Sequence, residues 1–233
     1  MEPGRVISDS WALYRAHLGH LLAVAAVVFV PLGALTALLG EAGLGGVVAA
    51  NALNIVGTFL VQGAVVTTVA RVRAGRAPLG VGDALGTAGA RVVPLVAAGL
   101  LATAGILLGL ALLIVPGLVL LTWWAVVPQV IMLESPRVIP AFGRSHRLVT
   151  GSGWPVFGVV VVTVLVVLAI NTALVLALLP VGGFLSGFLV TAVGNTLAAP
   201  FTGVALTLTY LRLREIEAAR LGDAGLAGYT PAP

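Results

Sequence analysis

Six long apolar runs dominate this chain, and each approaches the length that a helix needs to cross a lipid bilayer. A hydrocarbon core of ~30 Å takes roughly 20 helical residues. The runs lie at residues 18–39, 47–70, 92–115, 118–133, 156–179 and 184–211. We therefore expect an all-α fold, a polytopic membrane helix bundle of about six spans. It would form one membrane domain over residues 1–220, followed by a flexible cytoplasmic tail at residues 221–233.

The composition also indicates a membrane protein and argues against several soluble classes. Of the 233 residues, 60% are hydrophobic and only 9% are charged, whereas a soluble domain carries about 25% charged residues. Cysteine is absent, which excludes thiol-based metal and redox sites. The net charge is +4, but the arginines follow apolar runs and do not form a basic face with stacking aromatics, so we expect no nucleic-acid partner.

The distribution of arginines predicts the orientation. All twelve basic residues are arginine, and an N-terminus in the cytoplasm places every one of them on that side, which the positive-inside rule favours. We expect a protein of the bacterial plasma (inner) membrane with both termini cytoplasmic. A cleaved signal peptide is the alternative for the first run, but that run exceeds the roughly 7–15 residues of such a segment.

A cytoplasmic face rich in arginine attracts anionic lipid, at about 1 kcal/mol per arginine near the surface. We therefore expect membrane lipids to be partners, with a membrane-protein partner or a homo-oligomer as further options. The candidate anionic-lipid contacts are Arg71, Arg73, Arg76, Arg144, Arg147, Arg212 and Arg214.

Three short amphipathic stretches precede the first, third and fifth spans, at residues 3–17, 78–91 and 139–154. We interpret each as an interfacial helix. The chain then contains three pseudo-repeats of one interfacial helix and two spans, a parallel arrangement that some transporters use. A shift of 141 residues aligns Asn54 with Asn195, Thr68 with Thr209, Arg71 with Arg212 and Arg73 with Arg214, and a shift of 74 aligns Asp9 with Asp83 and Leu21 with Leu95.

Amides, and no charged residues, occupy the middle of the spans. Asn54, Asn171 and Asn195 lie at one depth, about 25 Å from the cytoplasmic ends of their helices, while Gln62 and Gln129 lie deeper toward the cytoplasm. One interpretation is hydrogen bonding between helices, worth about 0.6 kcal/mol each. The alternative is an intramembrane polar layer around a cavity, which prolines 31, 128 and 200 would favour by freeing backbone carbonyls.

No constellation typical of an enzyme or a metal site is evident. His17 and His20 have helical spacing, but no carboxylate or cysteine completes a metal shell. Ser145 and His146 are adjacent, so on a helix their side chains point apart. We expect no catalytic residues, no metal and no cofactor.

Two stretches carry a resemblance to a known family. These are LLIVPGLVLLTWWAVVPQVIMLE at residues 112–134 and PAFGRSHRLVTGSGWPVFG at residues 140–158. The chain resembles the six-helix membrane domain attached to some bacterial glycerophosphoryl diester phosphodiesterases, and its stand-alone uncharacterised relatives. The matching positions are Ile114 to Gly117, Leu133, Glu134, Ala141, Arg144, Ser145, Leu148 and Gly151.

The resemblance implies a bacterial inner-membrane protein that presents or handles lipid. It does not imply phosphodiester cleavage, because that chemistry belongs to a separate barrel of about 250 residues, and these spans leave no room for one. Our first hypothesis is a non-catalytic membrane protein that binds lipid or supports a partner membrane protein. The alternative is a transporter or flippase of a small or amphipathic molecule that uses a polar cavity in the outer half of the bundle.

Overall fold

The computed structural model describes residues 2–134, 137–181 and 183–227, with side chains up to residue 221. This part of the chain is helical and contains no β-strand. The helices are α1 (Pro3–Ala16), α2 (Leu18–Gly40), α3 (Gly43–Arg73), α4 (Val81–Gly89), α5 (Val92–Leu112), α6 (Ile114–Trp123), α7 (Val127–Leu133), α8 (Val138–Val149), α9 (Gly153–Leu178), α10 (Gly183–Leu189) and α11 (Asn195–Ala227), with a π-helix at Val190–Gly194 between the last two.

Six helical segments are long and apolar enough to cross a membrane, which confirms the expected number. They are Leu18–Gly40, Gly43–Arg73, Val92–Leu112, Ile114–Leu133, Gly153–Leu178 and Gly183–Leu221. The predicted tail was to begin at residue 221, whereas α11 ends at Ala227, and the residues that follow lie outside the described part of the chain.

The turn between the third and fourth spans differs from the expectation. The chain reverses at Leu113, which is extended (φ −160°, ψ 140°), and not at Pro116 and Gly117. Pro116 lies in the first turn of α6, where its missing N–H would have had no helical acceptor. The fourth span therefore begins at Ile114 and is longer than the sequence indicated.

The same span is interrupted midway. Helix α6 ends at Trp123 and α7 begins at Val127, with Pro128 in the first turn of α7. Proline in the first turn of a helix is tolerated, but it cannot continue a preceding helix without losing a hydrogen bond. The span is thus two short helices joined by a three-residue turn.

The three amphipathic stretches are helices, α1, α4 and α8, and their apolar faces belong to the packed core. In α1 the buried face consists of Val6, Ser10 and Tyr14, spaced four residues apart, and it packs against α9 and α11. The Ser10 hydroxyl donates to the Val6 carbonyl at 2.6 Å, so this buried polar group is satisfied within its own helix.

Helix α11 lies at the centre of the bundle and packs against α1, α2, α3 and α9. Its closest approach to α3 is at Gly203, where a Cβ would lie 2.7 Å from a methyl carbon of Val65. Small residues at such crossings let helix backbones approach closely. We call the end of the bundle at which α3 ends and α5 begins the arginine end, because Arg73 and Arg91 mark these two points.

Candidate functional site

The three asparagines in the spans lie close together in space. The Asn195 amide nitrogen donates to the Asn54 side-chain oxygen at 3.1 Å. Asn171 donates to the Val167 carbonyl of its own helix at 2.9 Å. Its side-chain oxygen lies against Gly194, where an added Cβ would be 3.0 Å away. The three helices α3, α9 and α11 thus place their amides around one point, about 28 Å along α3 from Arg73.

A cavity of about 450 Å³ opens beside these amides, between α3, α9 and α11. Its polar lining residues are Thr58, Gln62, Thr163, Asn171, Asn195 and Thr202. The three threonine hydroxyls each donate to a carbonyl four residues earlier, at 2.7 to 3.1 Å. Their oxygens remain able to accept a hydrogen bond. The lining can therefore hold an uncharged or weakly polar group inside an otherwise apolar wall.

A second cavity, of about 260 Å³, continues from the first toward α5 and α7. The two cavities share Gln62, Thr163, Val164 and Thr202 in their linings. The second adds Trp124 and Pro128, which flank the interruption of the fourth span. We call the two cavities together the amide cleft.

Gln129 does not line the amide cleft, although the sequence grouped it with the other amides. Its side chain is 1% exposed, and neither the amide nitrogen nor the amide oxygen has a hydrogen-bond partner among the described residues. A buried amide without partners costs about 1–3 kcal/mol. Of the five predicted amides, Gln62, Asn171 and Asn195 line the amide cleft and Asn54 bonds to Asn195, whereas Gln129 is buried in α7 apart from the cleft.

A network of charged side chains joins α7, α8 and α11 at the arginine end. Arg144 donates from Nε to one Glu134 oxygen at 2.8 Å and from Nη2 to the other at 3.2 Å. The opposite side of the guanidinium contacts both Glu217 oxygens, at 2.5 and 2.7 Å. Two bidentate pairs use four of the five N–H donors of one guanidinium. We call this set the Arg144 clasp.

Tyr210 completes the clasp by donating its hydroxyl to Glu134 at 2.7 Å. Burial by itself would raise the pKa of Glu134, but the hydrogen bonds from Arg144 and Tyr210 outweigh it, so the pKa lies below its ordinary value. The carboxylate is therefore the form that the folded protein stabilises. Glu134 and Tyr210 were not among the predicted site residues, although Glu134 and Arg144 both belong to the stretches that carry the family resemblance.

The other arginines predicted to contact lipid differ in how far they are engaged. Arg212 is paired with Asp9, and Arg71 donates to the Ala77 carbonyl at 3.1 Å. Arg214 lies 3.8 Å from Glu134. The remaining three are exposed, and their side chains make no hydrogen bond or ion pair to any described residue: Arg73, Arg76 and Arg147.

Arg91 has a structural role that the sequence did not indicate. Its Nη1 atom donates to the carbonyls of Ile131 and Met132, each at 2.7 Å. These carbonyls lie in the last turn of α7, where no backbone N–H of the helix donates to them. A cation also interacts favourably with that end of a helix.

Arg73, Arg212 and Arg214 line one cavity of about 870 Å³ at the arginine end. Asp9 and Glu215 are the acidic residues in its wall, and alanine and aliphatic side chains form the rest. Arg212 pairs with Asp9 and Arg214 lies 3.8 Å from Glu134, whereas the side chain of Arg73 makes no ion pair with a described residue. We call this cavity the arginine cavity.

Ser145 and His146, the adjacent pair considered as nucleophile and base, both contact Trp123. The Ser145 hydroxyl donates to the Trp123 carbonyl at 2.6 Å, and the His146 ring packs edge-on against Trp123. No group of three or more His, Asp or Glu side chains in the described ranges is arranged to hold a metal ion.

The chain matches no family model, no curated protein and no solved structure. What the molecule does must therefore be inferred from the amide cleft, the arginine end and the chemistry of their side chains.

Proposed function

We propose that the protein is a non-catalytic integral protein of the bacterial inner membrane that binds anionic lipid at its arginine end, and that it is a stand-alone relative of the six-helix membrane domain it resembles. In this proposal both termini are cytoplasmic and the arginine end faces the cytoplasm. A lipid-bound protein of this kind is also suited to support a partner membrane protein or a second copy of itself.

The arginine cavity is the observation that carries the proposal. Half of its lining residues are charged and half are apolar, as the surface around an amphipathic molecule should be, and the charged half holds three arginines against two acids. Arg73 is exposed and unpaired among the described side chains, so its donors are available to a phosphate. Arg76, three residues beyond it, adds to the field that attracts an anionic surface.

The orientation and the threefold repeat belong to the same proposal. Arg71 and Arg73 in the last turn of α3, with Arg212 and Arg214 in the middle of α11, support a cytoplasmic arginine end by the positive-inside rule. The repeat is supported by Thr68 and Thr209, which the shift of 141 residues aligns. Both are buried, and both hydroxyls donate to an alanine carbonyl four residues earlier, at 2.9 and 2.8 Å.

A non-catalytic role is supported by the way the reactive groups are used. The Ser145 hydroxyl donates to a carbonyl oxygen and not to a base, and His146 packs on an indole ring. A nucleophile needs an adjacent base within hydrogen-bond reach to become reactive. These two side chains instead fix α8 against α6.

Native mass spectrometry of the purified protein tests lipid binding directly. The protein is released from nanodiscs of mixed phosphatidylglycerol and phosphatidylethanolamine, and the retained lipid is identified by mass. We expect phosphatidylglycerol to be retained in preference to phosphatidylethanolamine, and the double variant Arg73→Gln/Arg214→Gln to lose most of that preference. Retention of neither lipid, or equal retention of both, would remove the proposal.

The amide cleft favours a second candidate function, a transporter or flippase. A polar path into the bundle is what a lipid headgroup or a small polar molecule needs in order to leave the interface. Gln62, Asn171 and Asn195 supply amide donors and acceptors to such a path. The cleft reaches the interrupted fourth span, where residues 124–126 break the helix.

Proteoliposomes carrying a fluorescent phospholipid test this candidate, because dithionite bleaches only the outer leaflet. Scrambling by the wild type, slowed in Gln62→Leu and Asn195→Leu, is the outcome expected of a flippase. Asn51→Leu is the matched control, since Asn51 is exposed and bonds only to the Val47 carbonyl of its own helix. Bleaching limited to half of the label in the wild type would exclude phospholipid flipping.

A further inference from the structure

An apolar groove of about 630 Å³ runs along the outside of the bundle between α6 and the start of α9. One face of α6 forms its first wall, through residues 115, 118, 119, 122 and 123, which recur with helical periodicity over about 12 Å. The second wall comes from Trp154, Pro155 and Phe157 at the start of α9. The groove lies apart from the amide cleft and from the arginine cavity, and shares no lining residue with the arginine cavity.

The groove ends against a guanidinium group. Gly151 and Gly153 line this end and leave it without side chains, and Gly151 has φ +84°, which other residues rarely adopt. A Cβ added at Gly151 would lie 3.1 Å from Arg220 Nη2. The guanidinium thus occupies the space that a side chain at 151 would need.

Arg220 has unused hydrogen-bonding capacity. Its one described hydrogen bond runs from Nη1 to the Thr150 carbonyl at 3.4 Å. No carboxylate of the described residues lies within ion-pair distance of it. A guanidinium has five N–H donors, so most of those of Arg220 remain available to an anion at the mouth of the groove.

Two indole rings flank the same end. Trp154 is 85% exposed and Trp123 is 37% exposed, and both line the groove. Tryptophan is enriched at the level of lipid headgroups because its ring is apolar on one side and has a polar N–H. From the middle of the bundle to its arginine end, the groove therefore passes from apolar side chains to two tryptophans. It then reaches Arg220, which has no carboxylate partner among the described residues.

We propose that this groove binds one acyl chain of an anionic phospholipid, with the phosphate at Arg220. The proposal rests on the lipid binding proposed above and adds a second lipid site to the arginine cavity. A neighbouring helix fits the groove less well. A helix about 10 Å in diameter fills roughly 900 Å³ over the ~12 Å of α6 that line the groove, which is more than the groove volume of about 630 Å³. A chain of methylenes is narrow enough to enter, and the single cation at the end complements a single phosphate.

A bromine atom on a lipid acyl chain quenches the fluorescence of a tryptophan that it contacts. The quenching therefore shows where the lipid is bound. Full-length protein is placed in phosphatidylethanolamine nanodiscs that contain a minor fraction of phosphatidylglycerol, brominated in one sample and unbrominated in the other. We expect brominated phosphatidylglycerol to quench the tryptophan fluorescence more than brominated phosphatidylethanolamine does at the same fraction of the lipid. The excess should fall in Trp154→Phe, because Trp154 lines the site.

Arg220→Gln tests the headgroup end, with Arg5→Gln as the matched control, because Arg5 is exposed, pairs with Glu2 and does not line the groove. We expect Arg220→Gln to weaken the preference for brominated phosphatidylglycerol about fivefold, as one arginine at a lipid surface should. Arg5→Gln should leave it within twofold of the wild type. Equal losses in the two variants would show diffuse attraction by charge and overturn the site.

Gly153→Leu tests whether the groove must be open next to the guanidinium, since a Cβ at Gly153 meets nothing within 4 Å and a leucine there would occupy groove space. Gly143→Leu is the matched control, because Gly143 is equally open but does not line the groove. The excess quenching should be lost in the first variant and kept in the second. Quenching that survives Gly153→Leu would overturn the assignment.

The two proposals fail in different ways. If the wild type retains phosphatidylglycerol in native mass spectrometry but shows no excess quenching of Trp154, lipid binding stands and this site is wrong. If Trp154 is unquenched and the protein is dimeric, a second copy covers the groove, which also overturns the site. If no anionic lipid is retained at all, both proposals are wrong.

Discussion

Asn195 donates a side-chain hydrogen bond to Asn54 at 3.1 Å across 141 residues of sequence. The same shift of 141 residues aligns these two positions when the second and sixth spans are compared. The bond therefore joins the two corresponding positions of helices α3 and α11, which run side by side through the bundle.

Replacing either asparagine by leucine should cost about 0.6 kcal/mol of stability, the average for hydrogen bonds between membrane helices. Thermal unfolding in detergent measures this for Asn54→Leu, Asn195→Leu and the double variant. Because the two side chains share one bond, the double variant should lose less than the sum of the single losses. Strict additivity would show that the bond contributes nothing, and Asn51→Leu should leave the melting temperature unchanged.

Gln129→Met should stabilise the protein, by about 1–3 kcal/mol, since it removes an amide that is buried without partners. Methionine has a similar length and no strongly polar atom. The melting temperature measures the change, and Gln62→Met, at a residue beside the amide cleft, is the comparison. A loss of stability in Gln129→Met would indicate that an internal water satisfies the amide.

Arg144→Lys should destabilise the protein although the charge is kept. A lysine ammonium cannot bond two carboxylates bidentately, so it would lose hydrogen bonds to charged groups worth about 1.5–3 kcal/mol each. Arg147→Lys, on the exposed side of α8, should have little effect. Thermal unfolding of both variants at neutral pH provides the comparison, and equal melting temperatures would contradict a structural role of the Arg144 clasp.

Acid should weaken the Arg144 clasp. The pKa of Glu134 is lowered in the folded protein, so the unfolded chain binds this proton more readily. The stabilisation is complete above the ordinary pKa of a glutamate, about 4.3, and is lost as the pH falls through the lowered folded value. Melting temperatures measured from neutral pH downward should fall more steeply in the wild type than in Glu134→Gln. Glu41→Gln, in the loop between α2 and α3, should keep the wild-type profile.

Gly117→Ala should destabilise the contact between α5 and α6, because a Cβ at that position would lie 2.7 Å from the backbone nitrogen of Leu110. Backbone atoms cannot move aside as a flexible side chain can. Gly86→Ala is the control, since nothing lies within 4 Å of the added carbon and alanine favours a helix by about 0.5–1 kcal/mol. Opposite shifts of the melting temperature are expected from the two variants.

The number of spans and most of their bounds follow from the sequence because hydrophobic length determines whether a helix crosses a bilayer. The interruption at residues 124–126 does not, since apolar residues continue through it and only Pro128 hints at a break. The sequence also did not predict the turn at Leu113. A proline such as Pro116 occurs both beyond the end of a helix and in the first turn of one, so its position alone does not decide between them.

The amides at one depth were predictable because helical rise converts sequence distance into height. Which helices bring them together was not, since that depends on packing between α3, α9 and α11. Hydropathy likewise does not show that Glu134 and Glu217 hold Arg144 between them. The carboxylates are 83 residues apart in sequence, and no local pattern links them.

The contact between Asp9 and Arg212 has a consequence for how the protein is made. These residues are 203 positions apart, so a ribosome that adds about 5–20 residues per second needs roughly 10–40 s to deliver the arginine after the aspartate. Until then α1 lacks both this charge partner and the face of α11 on which it packs. Helix α1 is thus completed by α11, and the nascent bundle stays open along this side until α11 has been synthesised.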